Sequence, residues 1–144
     1  MKRDNIYIAV IDGQGGGLGR AIIERIRQEN LPAGIIALGT NSTATFNMLK
    51  AGADAGATGE NAICVNAKKA DLIIGPIAVI MADALMGELT PRMAEAVSSS
   101  EALKLLVPST RCNVKVIGTK DSPMQVCLDE LTNEIKNYII SHED

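Results

Sequence analysis

Short runs of contiguous apolar residues alternate along this chain with stretches whose apolar positions recur every three or four residues. Ile6–Ile11, Ile35–Leu38, Leu72–Ile74, Leu103–Val107 and Val114–Ile117 are of the first kind. They are nearly continuous rather than alternating, which predicts strands covered on both faces. Ala53–Ala57 is poorer in strand formers, but a short third strand there keeps the alternation in step. Between these runs the pattern turns helical. Leu18, Ile22 and Ile26 share one face of a first helix, which Leu31-Pro32 and Gly34 stop. Thr40, Asn41 and Ser42 are all good caps for a second, ending near Ala51, and Thr58 caps a third from about Glu60 to Lys69, with Ile63-Cys64-Val65 leaving a strand open. An apolar helix is predicted over Ile77–Met86, another begins at Thr90-Pro91, and a last one opens at Ser122-Pro123 with Leu128, Leu131, Ile135 and Ile139 at helical spacing. Strands alternating with helices predict an α/β fold: a Rossmann-like three-layer αβα sandwich with a mainly parallel sheet of five to six strands, order 3-2-1-4-5. With no linker or repeat in view, residues 1–144 read as one domain.

Right-handed crossovers place the C-terminal ends of parallel strands on one edge, where open α/β sheets bind ligands. The loops expected there carry most of the polar and glycine residues outside helix ends. The first is Gly13-Gln14-Gly15-Gly16-Gly17-Leu18-Gly19, and the others are Gly39-Thr40-Asn41-Ser42, Thr58 to Asn61 with Glu60 between, Gly75-Pro76, and the stretch holding Arg111 and Cys112. Glycines let a backbone approach a pyrophosphate, and the helix that follows offers free N–H groups at its positive end. Spaced Gly13, Gly17, Gly19 between a strand and a helix, the first loop resembles the coenzyme loop of short-chain dehydrogenases/reductases. That family's Tyr-x-x-x-Lys pair is missing here, since neither Tyr7 nor Tyr138 has Lys four residues on. Asp12 also stands where those enzymes usually have Thr, and a carboxylate there repels a phosphate unless it faces elsewhere or a metal intervenes. The second strand ends in Gly39-Thr40-Asn41 rather than an acidic residue, which favours NADP or a mononucleotide over NAD. The P-loop is excluded, because Gly19-Arg20-Ala21 stands where Gly-Lys-Ser/Thr belongs.

Composition narrows the partners. A formal charge of −3 and only 2% aromatic residues give nucleic acid neither attraction nor stacking platforms. Three cysteines without a CxxC spacing fit neither a disulfide framework nor a zinc site. The apolar run after Met1-Lys2-Arg3 is too short for a signal sequence, and no run approaches the ~18 residues of a membrane span, so cytoplasm is the expected compartment. The single histidine, His142, lies in the tail, against a Ser-His-Asp triad or a His-rich metal site.

Asp12 and Glu60 would make an acid/base or magnesium pair if their loops met, while Glu60 is more simply explained by the first turn of its helix, which Thr58 caps. Arg111 would clamp a phosphate or simply lie at the surface, and Cys112 is most simply a buried hydrophobe. Asp83 is expected on the exposed face of its helix. Met81, Met86 and Met93 suit a core or a homo-oligomer contact.

The whole chain is similar to a family of uncharacterised bacterial proteins known only as a domain of unknown function. The resemblance rests on Ile11-Asp12-Gly13-Gln14-Gly15-Gly16-Gly17, Ala37-Leu38-Gly39-Thr40-Asn41, Gly56-Ala57-Thr58-Gly59-Glu60-Asn61 and Ile73-Ile74-Gly75-Pro76. Gly87-Glu88-Leu89-Thr90-Pro91 and Arg111-Cys112-Asn113 belong to it as well. It implies a Rossmann-like fold and no activity. Three readings follow: a module that binds or senses a nucleotide, NADP or NAD, through the glycine loop; a small oligomeric enzyme acting on a phosphate-bearing substrate; or an assembly partner whose glycine loop only shapes the turn.

Overall fold

The computed structural model describes residues 5–109 and 113–143. Five parallel strands, β1 (Ile6–Asp12), β2 (Ala33–Gly39), β3 (Ala55–Thr58), β4 (Leu72–Pro76) and β5 (Leu103–Val107), form one sheet in the order β3-β2-β1-β4-β5. The alternation of side chains along each central strand explains why these runs are apolar throughout. Ile8 and Val10 of β1, Ile35 and Ala37 of β2, and Leu72 and Ile74 of β4 enter a core on one face. Ala9 and Ile11, Ile36 and Leu38, and Ile73 enter a second core on the other. With water on neither face, the middle positions of these strands are apolar, and the buried polar residue Asp12 stands only at the end of β1.

Helices α1 (Gly17–Gln28) and α5 (Met124–Ser141) cover the first face, where Ile22, Ile23 and Ile26 meet Leu128, Leu131 and Ile135. Met48 of α2 (Ser42–Lys50) completes that layer. At its rim Arg25 donates to Asp129 and Gln125, and Lys136 to Glu29. The second face carries α3 (Glu60–Ala67) and α4 (Pro91–Ser98), through Ile63, Ala67, Met93 and Val97. No helix among the described residues is long and apolar enough to cross a membrane.

Two expected elements are not formed. Ile77–Met86 is not an α-helix: a 3-10 turn, Ile77–Ile80, is followed by a series of turns. Asp83, Leu85 and Met86 stand there at φ 65°, 56° and 57°, and Gly87 at 88°. Left-handed backbone at these positions ends any right-handed helix, whatever the apolar spacing says. Val114–Ile117 is not a strand either; the segment lies along the surface with Ile117 exposed, and β5 is the edge of the sheet.

Candidate functional site

The strand order reverses between β1 and β4, so the connections leaving these two strands diverge to opposite faces and open a crevice at their C-terminal ends. A cavity of about 1030 Å³ lies there. Its floor is Asp12 and the glycine loop to Leu18. Pro76, Ala78 and residues 81–86 form one side, and Val107, Pro108, Ser109, Asn113 and Met124 the other.

The loop is held from within. Asp12 is only 6% exposed, and its two carboxylate oxygens accept from the amides of Gly13 and Gly19, both at 2.8 Å. Gly19 is the third residue of α1, so Asp12 satisfies a donor that the helix cannot satisfy itself and sets its negative charge at the positive end of the helix. Burial pushes the Asp12 carboxyl above its usual range, opposed by the amides of Gly19, Gly13 and Leu18 and reinforced by the charge of Glu88. The carboxylate that was expected to repel a phosphate therefore faces the loop's own amides.

The loop's glycines fall into two groups. A Cβ on Gly19 would collide with the Met48 sulfur, and one on Gly16, which stands at φ 72°, would come within 2.9 Å of the Ala44 backbone. A Cβ on Gly13 would meet Thr40 Oγ1 at 2.6 Å, Leu85 Cδ1 at 2.8 Å and Glu88 Oε1 at 3.2 Å. These three are required by packing. Gly15 and Gly17 are not: nothing lies within 4 Å of a Cβ on either, neither needs left-handed backbone, and both line the cavity. Among the described residues their amides meet no acceptor, whereas Gly16 donates to Gly13 O and Gln14 to Glu88.

Glu88, which the sequence reading did not single out, closes the other side. One oxygen, Oε1, accepts from Gln14 N at 2.9 Å, Thr40 Oγ1 at 2.6 Å and Asn41 Nδ2 at 2.8 Å. The hydroxyl of Thr40, then the Gln14 amide, hold this carboxyl below its usual range despite partial burial. Its signal lay in Gly87-Glu88-Leu89-Thr90-Pro91, a lone acid between an apolar run and a helix start. Asn47, also not singled out, donates to Gly15 O.

The remaining residues expected at the site spread along the sheet edge. Asn41 caps α2 by accepting from Ala44 N, and Ser42 is its exposed first residue. Gly39 and Gly75 are packing glycines, against Thr45 and the Ile11 carbonyl. Thr58 at the end of β3 meets Thr45 Oγ1 at 2.8 Å. Glu60 does not pair with Asp12: it faces Arg92 at 3.3 Å, and the Thr90 hydroxyl and Arg92 lower its pKa. Asn61 is exposed on the first turn of α3. Asp83 is exposed as expected, but on a turn. Arg111 and Cys112 lie outside the described residues. No group of three or more His, Cys, Asp or Glu side chains among the described residues is arranged to hold a metal.

Among solved structures the chain is similar to the crystal structure of a dodecameric FMN-dependent UbiX-like decarboxylase from Escherichia coli O157:H7. The two share 15% identity at a TM-score of 0.48, over 92% of this chain and 93% of that one. No curated protein matches in sequence. The expectation of NADP or NAD is overturned: the similar structure is FMN-dependent. A family model described as "Domain of unknown function (DUF3842)" matches residues 7–140, nearly the whole length. The chain belongs to that family.

Proposed function

We propose that the chain binds a phosphate-bearing small molecule of nucleotide size in the cavity between the glycine loop and β5, with the amides of Gly15 and Gly17 on the phosphate. One observation carries this reading. The loop keeps two glycines that neither packing nor backbone conformation requires, and both line the cavity. Their lack of a side chain leaves two unengaged amides open to close approach at the start of a 12-residue helix. That is the arrangement an oxyanion exploits. The volume, about 1030 Å³, lies at the upper end of the range for small-molecule sites and suits a mononucleotide or larger ligand. Asp12 bears on this charge. An anion above the loop raises its pKa further, so binding takes up a proton and weakens as pH rises.

A thermal-shift and calorimetry series against FMN, FAD, ATP, GTP, S-adenosylmethionine and coenzyme A tests the reading, with Gly17→Val alongside. A ligand at ~100 times its dissociation constant adds ~2.7 kcal/mol of stability. The expected result is a shift in wild type that a folded Gly17→Val loses. Absence of a shift with every compound, or a shift that Gly17→Val retains, rejects the site. Self-association belongs to the same proposal: Phe46, Leu49 and Val65, on the helices next to edge strand β3, are exposed. Sedimentation velocity tests it, and a monomer at all concentrations rejects it.

A further inference from the structure

The turn series that replaces the expected helix has three properties not explained by the fold alone. Its backbone is left-handed at Asp83, Leu85 and Met86, and for Leu and Met that region is unfavourable. Its crest, Met86, is 94% exposed, although it is a large apolar residue. Its polar tie to the glycine loop is one side chain, Glu88, whose Oε1 takes all three donors. Beneath it Gly13 is bare, and a methyl group there would strike Leu85, Thr40 and Glu88 together. The loop is shaped to receive this segment.

Three donors converging on one oxygen are what an anion receptor requires. We propose that the donors holding Glu88 form an anion subsite kept closed by the protein's own carboxylate. A phosphate or carboxylate on the incoming ligand displaces Glu88, and residues 81–88 lift as a lid from Gly13. The amides of the lid bond to one another or to Leu89, which is fully buried in the core: Gly87 to Asp83 and Ala84, Glu88 to Leu85, Leu89 to Ala84, and Asp83 to Leu89. The segment therefore keeps its turns and pivots on Leu89 when Glu88 releases the glycine loop. The ligand part of this inference rests on the cavity being a binding site; the lid part does not.

The test has two arms on the intact chain. Amide hydrogen exchange without ligand compares wild type with Glu88→Gln and with Gly13→Ala, which keeps the carboxylate but removes its seat. Faster exchange at the Gln14 amide and across 83–89 in both variants, with α1 unchanged, is expected; unchanged exchange in either overturns the lid. Calorimetric titration with inorganic phosphate and, separately, acetate compares wild type, Glu88→Ala and Gly17→Val. If the open form is a minor population, removing the internal competitor raises apparent affinity about tenfold or more. Tighter binding in Glu88→Ala supports the subsite, and whichever anion gains more identifies the group it takes. Binding unaffected by Glu88→Ala but lost in Gly17→Val overturns the subsite and leaves the cavity reading intact. Binding tightened by Glu88→Ala but indifferent to Gly17→Val does the reverse. No binding of either anion to any form rejects both.

Discussion

The glycine loop and the segment Met81–Leu89 meet at Gly13 and Glu88, yet their backbones are stabilised by opposite means. In the loop, left-handed backbone falls on Gly16 and on Gln14, the amides of Gly13 and Gly19 are met by the adjacent Asp12, and the following helix begins on schedule. In the segment, unusual backbone is assigned to Asp83, Leu85 and Met86, and the tie is to residues 74, 48 and 47 positions away. The first wall is largely the product of local rules; the second keeps its turns through its own amides but is held against the loop by tertiary contacts. A wall held by distant contacts opens without unfolding the element behind it, and one built by local rules does not.

The sharpest way to break this comparison is at the loop. Gly16→Val combines a left-handed backbone with a collision against Ala44 and should cost about 3 kcal/mol or more. Gly17→Val, at the adjacent residue but facing open space, should cost under about 1 kcal/mol. Urea unfolding of the pair decides the matter, and similar stabilities would mean that the packing division among the glycines is wrong.

Next comes Asp12. Asp12→Ala leaves the buried amides of Gly13 and Gly19 without an acceptor and should cost about 2–4 kcal/mol. Asp12→Asn keeps one carbonyl acceptor and should lose less than half as much, while binding an anionic ligand more tightly at neutral pH. An equal loss in the two variants would show that the charge, rather than the acceptor, supports the loop.

The segment gives a smaller and opposite effect. Met86→Gly removes an exposed side chain from left-handed backbone, and should be neutral or stabilising by up to about 1 kcal/mol. Met86→Val should destabilise by a similar amount, and thermal unfolding separates the two. If Met86→Gly destabilises instead, the crest packs against something and is not a free turn.

The smallest effect is one of sign. The pKa of Glu88 is lowered in the folded chain, so its stabilisation is complete above its ordinary 4.5 and is lost as pH falls below that. The pKa of Asp12 is raised, so its contribution is complete below its ordinary 3.8 and is lost as pH rises from there through the folded value. Stability measured against pH should therefore have a shallower acid limb in Glu88→Gln. In Asp12→Asn the decline on the rising side should be absent. Parallel curves for wild type and both variants would contradict the two assignments.

This division also accounts for how much could be read from the sequence. The central strands follow from runs such as Ile6–Ile11, whose continuous apolar character has one structural cause, burial on both faces, whereas β3, largely exposed, was legible only from the alternation of elements. The role of Asp12 was half legible: its conflict with a phosphate was plain, and its resolution required knowing that Gly19 N–H lies 2.8 Å away. Ile77–Met86 misled because its spacing is helical, whereas its backbone turns left-handed at Asp83, Leu85 and Met86 and brings Glu88 to Thr40 and Asn41. No window of sequence contains both ends of that contact. Val114–Ile117 has strand composition but no neighbour in the sheet to pair with, and propensity without a partner forms no strand. The pairing expected for Asp12 was likewise a contact between loops; the acid that reaches the glycine loop is Glu88, and Glu60 turns to Arg92.

The exposed crest at Met86 has a practical consequence. The chain contains no tryptophan, so Met86→Trp would place a single indole in water at the one point most displaced if the segment moves. Its emission would be free of background from the rest of the protein. A change of wavelength or quenching on adding a ligand would then report motion in real time, turning a turn that spends its most apolar side chain on solvent into an optical probe.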